Sequence, residues 1–196
     1  MNRALLLLAL LDQSFIALLP AIFFRRDGAL NARWFATAAP FMLCIAVIAL
    51  ALFGVVEPWR PEQRAWEQAM RATAVVLCAS SIGLIALTIG THRIPIALWH
   101  QQDDAPKHIV TWGAYRYVRH PFYAAFLLCL IGTILALPHP LTVLAFLYSV
   151  VALNLTAARE EKRLAASEFG SEYREYMVRT GRFWPRLSPG ASKGTA

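Results

Sequence analysis

The chain has 196 residues, of which 58% are hydrophobic and only 16% are charged. Soluble globular domains carry roughly a quarter of charged residues, so this composition argues against a soluble protein. The net charge of +7 comes from basic residues that flank apolar segments and form no separate basic domain, which argues against nucleic-acid binding. No glycine-rich phosphate-binding motif, nucleophile elbow or HExxH motif occurs, so Rossmann, P-loop, hydrolase and zinc-protease signatures are absent.

Five apolar, nearly uncharged segments follow one another along the chain. They occupy residues 4–24, 35–56, 69–90, 122–137 and 141–158. Each reaches or approaches the ~20 residues that a helix needs to cross a hydrocarbon core of about 30 Å. The pattern predicts an all-α integral membrane protein with about five transmembrane helices.

The first segment also resembles a signal peptide, because Arg3 precedes a short apolar run. However, its apolar character continues past Asp12 and Gln13, and no small-residue cleavage site closes it before Arg25. We therefore predict that this segment is a retained span.

The basic residues predict the orientation in the membrane. With five spans, 15 of the 19 basic residues fall on the side that holds the linker after the first span, the 91–120 loop and the C-terminal tail. Basic residues favour the cytoplasmic side. The sequence thus predicts a multi-pass protein, of the bacterial inner membrane, with its N-terminus outside and its C-terminus in the cytoplasm.

Prolines and glycines divide the second half of the chain. Pro138 and Pro140 cannot continue a helix, which predicts a tight hairpin between the fourth and fifth spans, with His139 at its tip. Past residue 158 the helix is expected to run on to about residue 168. Gly170 is then expected to end it in the left-handed conformation, and Ser171 to cap the next helix. Residues 188–196 are predicted to be a disordered tail, which leaves a single domain over residues 1–187.

The three cysteines lie in three different spans, at Cys44, Cys78 and Cys129. No Cys or His pair has the spacing of metal ligands, so neither a disulfide framework nor a metal site is predicted.

Two polar clusters meet at the cytoplasmic end of the predicted hairpin. Residues 113–123 (GAYRYVRHPFY) precede and open the fourth span, and residues 159–163 (REEKR) follow the fifth. Pro121 fixes His120 at the start of a helix. Each cluster alone could be an interfacial anchor or a solvated helix face. Ionisable groups that share one membrane boundary instead favour a functional site, here for a small molecule of mixed charge.

Residues 110–123 (VTWGAYRYVRHPFY) resemble the signature of the isoprenylcysteine carboxyl methyltransferase family, and Glu160-Glu161 followed by Phe169-Gly170 and Tyr173 resembles its closing segment. Phospholipid methyltransferases and small-thiol methyltransferases share much of this pattern, and sterol reductases share a weaker version. The resemblance implies methyl transfer from S-adenosylmethionine, with a cofactor pocket made by the cytoplasmic loop and the C-terminal helical segment, at about residues 100–187. The acceptor would be a prenylcysteine-like carboxylate, or a phospholipid amine or thiol.

The resemblance also implies site residues by matching position. It implies cofactor contacts at His100, Lys107, His108, Ile109, Val110, Tyr115, His120, Pro121, Phe122, Tyr123 and Glu161. Lys107 and His108 compete for one family histidine position. His120 and Glu160 are candidate bases for an amine or alcohol acceptor, whereas a carboxylate or thiolate acceptor needs none.

One position departs from the family pattern. The family has an arginine, facing the substrate carboxylate, four residues before the cofactor-contacting glutamate, and Ala157 stands there in this chain. Arg159 is the candidate to supply that charge. An NADPH-dependent membrane reductase and a non-catalytic membrane scaffold remain the alternative functions, and the sequence gives no oligomeric state.

Overall fold

A computed structural model describes residues 2–18, 24, 28–59, 64–92 and 109–186. Within these ranges the chain forms six α-helices and one 3-10 helix and no named strand. The helices are α1 (Arg3–Leu18), α2 (Ala32–Leu52), α3 (Arg64–His92), α4 (Pro121–Ala136), α5 (Pro140–Ala165) and α6 (Gly170–Arg179), with the 3-10 helix at Gly113–Arg116. The predicted all-α membrane class is confirmed.

Three helices are long and apolar enough to cross a membrane: Trp34–Leu52, Trp66–Thr91 and Pro140–Ala165. α1 and α4 have 16 residues each. At 1.5 Å per residue they are about 24 Å long, shorter than the hydrocarbon core. Phe24, the predicted end of the first segment, lies outside α1 in an isolated bridge to Leu30. Five spans therefore stay a prediction.

The helices pack around α4. α4 contacts α1, α3 and α5, and α2 contacts α1 and α5. Close approach of α3 and α4 depends on Gly132, since a Cβ there would lie 2.9 Å from Sγ of Cys78. Phe41 and Phe126 meet edge to face in the main core cluster, at 5.4 Å between ring centroids.

One largely apolar face of α5 is not covered by any residue that the structure describes. Leu144, Leu147, Val151 and Leu155 follow one another at helical spacing and are all exposed. Such a stripe is what a lipid-facing helix presents.

A layer of buried polar side chains joins α1 to α3 and α4. The Ser81 hydroxyl donates to Asp12 Oδ1 at 3.1 Å, and the Gln13 amide donates to Thr133 Oγ1 at 2.7 Å. All four side chains are fully buried. In a membrane such pairs satisfy polar groups that lipid could not, so they fix how α1 sits against its neighbours.

The predicted hairpin between α4 and α5 is present. α4 ends before Leu137, whose carbonyl accepts from the Thr142 hydroxyl, and His139 caps α5 by accepting from the amide of Leu141. The turn brings the start of α4 and the end of α5 to the same end of the molecule.

The predicted break after α5 is also present, but the roles given to Gly170 and Ser171 are wrong. Gly170 is the first residue of α6, Phe169 is its N-cap, and the φ of Gly170 is not positive. A Cβ at Gly170 would lie 2.5 Å from the carbonyl oxygen of Ala165. Close backbone approach, and not a left-handed turn, therefore explains this glycine.

Candidate active site

The segment that enters α4 is held by the segment that follows α6. Val118 and Gly181 form a parallel bridge, the Arg119 amide donates to the Gly181 carbonyl at 2.9 Å, and the His120 amide donates to the Arg182 carbonyl at 3.0 Å. These backbone bonds bring residues about sixty positions apart to the same end of α5.

A tyrosine of α6 secures this arrangement from the other side. The Tyr176 hydroxyl donates to the Tyr115 carbonyl at 2.6 Å and lies 3.5 Å from the Val118 carbonyl. Burial raises the pKa of Tyr176 to about 12, so it stays a neutral donor at physiological pH. The predicted site residue Tyr115 is therefore fixed through its backbone, and burial raises the pKa of its own phenol as well.

Glu161 is the centre of the cluster. Its Oε1 accepts from Nε of Arg119 at 2.8 Å, and its Oε2 accepts from Nη2 of Arg182 at 2.5 Å. The side chain of Glu161 is only 7% exposed. Two guanidinium groups offset the cost of burying this carboxylate. In return, the hydrogen bonds to Glu161 raise the pKa of Arg182 above its ordinary value.

His120 lies between the two glutamates. Its Nδ1 is 3.5 Å from Oε2 of Glu160, and its Nε2 is 3.3 Å from Oε1 of Glu161. Although the atoms of the second pair are close, the buried Nε2 makes no hydrogen bond within the described part of the chain. The imidazole stacks on Tyr123, with centroids 5.2 Å apart and planes 2° apart. Phe183 meets both rings edge to face, with its ring centroid 6.1 Å from that of His120 and 6.2 Å from that of Tyr123.

The neighbouring glutamates have different surroundings. Glu160 accepts a 2.8 Å hydrogen bond from the Tyr123 hydroxyl, and its side chain is 34% exposed. Glu161 faces the arginines and is buried. The adjacent carboxylates can therefore act differently, with Glu160 open to a ligand and Glu161 holding the cluster together.

The structure brings four predicted site residues into contact: His120, Tyr123, Glu160 and Glu161. Pro121 opens α4 as predicted, and Phe122 packs on the core cluster. Ile109 and Val110 are half-buried. Arg159 is exposed and has no ion pair with any described residue, whereas His100, Lys107 and His108 lie outside the described residues.

Sequence reasoning missed two residues of the cluster, Arg182 and Phe183. Both follow Gly181, where a Cβ would overlap the carbonyl oxygen of Trp184. The sequence did contain a signal for these two residues, namely a glycine followed by a basic and an aromatic residue shortly after a helix. Arg119 lies within the predicted polar cluster of residues 113–123, but its pairing with Glu161 was not predicted.

The opposite end of the α4–α5 hairpin carries an apolar cavity of about 670 Å³. Its lining comes from the loop after α2, from α3, from the end of α4, from the hairpin turn and from the start of α5: Trp59, Met70, Ile134, Pro138, His139, Pro140, Val143, Leu144 and Leu147. His120 and His139 lie at opposite ends of α4, so this cavity is separate from the polar cluster.

Comparison with known proteins identifies the family of the chain. Residues 68–166, half of the chain, match the isoprenylcysteine carboxyl methyltransferase (ICMT) family. This match covers α4, most of α3 and all of α5, including both glutamates of the cluster.

Three individual relatives match stretches of 112 to 119 residues. The chain is 32% identical over 112 residues to the probable protein-S-isoprenylcysteine O-methyltransferase of Oryza sativa subsp. indica, which covers 50% of this chain and 56% of that protein. It is 43% identical over 115 residues to the cobalt-zinc-cadmium resistance protein CzcN of Cupriavidus metallidurans, which covers 58% and 51%. It is 29% identical over 119 residues to the protein-S-isoprenylcysteine O-methyltransferase of Saccharomyces cerevisiae, which covers 55% and 49%.

The chain spans about half the length of the curated relatives it matches. No solved structure matches it. The family match includes the two helices whose ends carry His120 and Glu161. The chain belongs to the isoprenylcysteine carboxyl methyltransferase family.

Proposed function

We propose that this protein is a membrane-embedded methyltransferase that uses S-adenosylmethionine and methylates a lipophilic or small acceptor. The observation that carries the proposal is the convergence of His120, Glu160 and Glu161 at one end of the helix bundle. The family's name supports methyl transfer over the reductase and scaffold alternatives.

The cluster has groups that suit the proposed cofactor. When bound, S-adenosylmethionine supplies a methyl group that its sulfonium centre already activates, so the protein mainly has to bind and orient. The partly exposed Glu160 carboxylate and the tyrosine rings suit a cationic ligand. The buried Nε2 of His120, which has no hydrogen bond among the described residues, suits a polar ligand atom.

The residues proposed to hold the cofactor are those that the family pattern assigns. Within the described chain they are Ile109, Val110, Tyr115, His120, Pro121, Phe122, Tyr123 and Glu161; His100, Lys107 and His108 complete the proposal from the sequence alone.

Each carboxylate has a separate role in this proposal. Glu161 fixes Arg119 and Arg182 by hydrogen bonds and lies 3.3 Å from the imidazole of His120, so it positions the site. Glu160, which is more exposed, would accept a proton if the acceptor were an amine or an alcohol. A carboxylate or thiolate acceptor would leave Glu160 a purely electrostatic role.

The acceptor would reach the cluster from the bilayer. The exposed apolar face of α5 leads toward Glu160 and Glu161, so a lipophilic molecule could lie along it.

Among the relatives, some are named for isoprenylcysteine and others for metal resistance, so the names leave both prenylcysteine-like and other acceptors open. We place the cluster on the cytoplasmic side of the bacterial inner membrane, from the distribution of basic residues.

A labelled-cofactor experiment tests this function. Membranes containing the protein are incubated with S-adenosylmethionine carrying a tritiated methyl group, or with NADPH carrying a transferable tritium. We expect tritium in an extractable acceptor only from the first cofactor, and less than a tenth of it with His120→Ala. Glu168→Ala, on the exposed face beyond α5, serves as the matched control and should keep full transfer. Transfer from NADPH, or from neither cofactor with well-folded protein, would refute the proposal.

A further inference from the structure

The apolar cavity beside the hairpin turn has walls from several segments of the chain. Its volume of about 670 Å³ lies within the range of ~300–1,000 Å³ that small-molecule sites occupy. The Trp59 amide donates to the Pro138 carbonyl at 2.8 Å, which holds the loop after α2 against the turn. Met70 of α3 and Ile134 of α4 form two further walls. The cavity is therefore built into the packing of these helices.

The shortness of α4 explains why the cavity lies at this end. α3 has 29 residues and α4 has 16. The two helices are in close contact at Gly132 and Cys78. α4 ends about one turn beyond Gly132, at Ala136, whereas α3 extends about four turns beyond Cys78, to Arg64. The cavity is the space that α4, by ending early, leaves beside α3.

The cavity opens onto the exposed apolar stripe of α5, which consists of Leu144, Leu147, Val151 and Leu155. Leu144 and Leu147 belong to the stripe and also line the cavity. A cavity with apolar walls does not hold water, since water needs polar partners there. Because the stripe suits contact with lipid, a hydrocarbon chain can pass from the bilayer into the cavity without crossing water.

Polar groups near the cavity are those of a membrane boundary. Trp59 is exposed, and tryptophan concentrates where the hydrocarbon meets the headgroups. Nδ1 of His139 accepts from the Leu141 amide at 3.2 Å, so the neutral imidazole carries its proton on Nε2. That Nε2 has no acceptor among the residues that the structure describes. The ester oxygens of a lipid lie at this depth and can accept from it.

The charges at this end do not select an anionic headgroup. Glu67 and Arg71, which flank Met70 on α3, form an ion pair with each other. Their charges cancel, and the walls of the cavity itself are almost wholly apolar. Burial of hydrocarbon is therefore the main source of affinity for a molecule bound here.

We propose that this cavity binds one acyl chain of a membrane phospholipid, with the ester region of the lipid at His139 and Trp59. The bound chain covers the side of α3 that α4 leaves open and so stabilises the hairpin. His120 and His139 lie at opposite ends of α4, so this lipid site is separate from the polar cluster and does not depend on methyl transfer.

Photolabelling of a matched pair of variants tests the proposal. The purified, delipidated full chain in detergent is titrated with a phosphatidylcholine that carries a diazirine on one acyl chain, irradiated, and mapped by mass spectrometry. Leu144→Trp and Leu155→Trp make the same change on one face of α5, at side chains that are 57% and 54% exposed. Leu144 lines the cavity, whereas Leu155 lies about 16 Å further along the helix.

We expect saturable labelling of Met70 and Ile134, which belong to different helices and line the same cavity. Each methylene that a new tryptophan displaces costs about four-fold in affinity. The concentration for half-maximal labelling should therefore rise about four-fold or more in Leu144→Trp, and stay at the wild-type value in Leu155→Trp. A phosphatidylglycerol with the same chains should match phosphatidylcholine within about three-fold, because the nearby charges cancel.

Four results would overturn the inference. The first is an unchanged titration in Leu144→Trp, and the second is labelling that is no stronger at Met70 and Ile134 than at Leu155, as expected of bulk lipid. The third is a preference of about ten-fold or more for phosphatidylglycerol, which would indicate a headgroup site. The fourth is a doubled mass without label at Met70 and Ile134, which would indicate that a second copy covers the cavity. Should Leu144→Trp not fold, Leu147→Trp decides by the same criterion.

Discussion

Nε of Arg119 and Oε1 of Glu161, which stand 42 residues apart in the chain, meet in a hydrogen bond of 2.8 Å. Arg119 comes just before α4 and Glu161 lies in the last turns of α5, so this bond closes the end of the hairpin that carries the polar cluster. The same carboxylate accepts from Arg182, which follows α6. One buried anion thereby ties together three segments of the chain, and the candidate site depends on it.

The contact between Tyr123 and Glu160 can be tested separately from the ring stacking. Tyr123→Phe keeps the ring against His120 but removes the 2.8 Å hydrogen bond to Glu160. A net hydrogen bond contributes about 1 kcal/mol, so we expect S-adenosylhomocysteine affinity to fall by roughly five-fold. Tyr123→Ala, which also removes the stacking, should lose considerably more when both variants are titrated by calorimetry. Equal affinities for the two variants would mean that the ring itself contributes nothing.

Much of this arrangement could be predicted from the sequence. The apolar segments of near-spanning length predicted the helices. Pro138 and Pro140 predicted the hairpin that brings His120 and Glu161 together. The residues next to Pro121 could be placed because proline fixes a helix start. These features depend on local properties of the chain, which a sequence displays directly.

The missed features depend on contacts between distant segments. Arg182 reaches Glu161 because the backbone after α6 pairs with residues 118–120, and no periodic pattern announces that pairing. Gly170 was assigned a left-handed turn, whereas the neighbouring carbonyl of Ala165 explains it. Ala157 is fully buried in the core cluster, and the Arg182 guanidinium contacts Asn154 and Glu161 on the same helix.

The polar layer between α1 and α3 should contribute to stability. Ser81→Ala removes the donor to Asp12, and we expect the free energy of unfolding to fall by about 0.5–1.5 kcal/mol, as for hydrogen bonds between membrane helices. Reversible unfolding in mixed detergent micelles measures this change. In an Asp12→Leu background the same substitution should cost close to nothing. An equal cost in both backgrounds would show that the two side chains are not coupled.

Labelling from one side of the membrane tests the orientation. Single cysteines replace Trp59, in the exposed loop after α2, and Glu175, on the exposed face of α6, in a chain whose native Cys44, Cys78 and Cys129 are changed to alanine. In intact cells an impermeant maleimide should label the cysteine at position 59 and spare that at position 175. Labelling of both positions would contradict the proposed location of the cluster on the cytoplasmic side.

The central claim, that the cluster around Glu161 binds the methyl donor, is tested most directly by the dissociation constant of S-adenosylhomocysteine for Glu161→Ala. Wild type should bind with micromolar-range affinity, about −8 kcal/mol. The substitution leaves two arginines without their shared carboxylate, so affinity should fall by roughly a hundred-fold or more while Glu168→Ala binds like wild type. Thermal unfolding of each variant shows that the bundle is retained. Wild-type affinity in a folded Glu161→Ala protein would contradict the account.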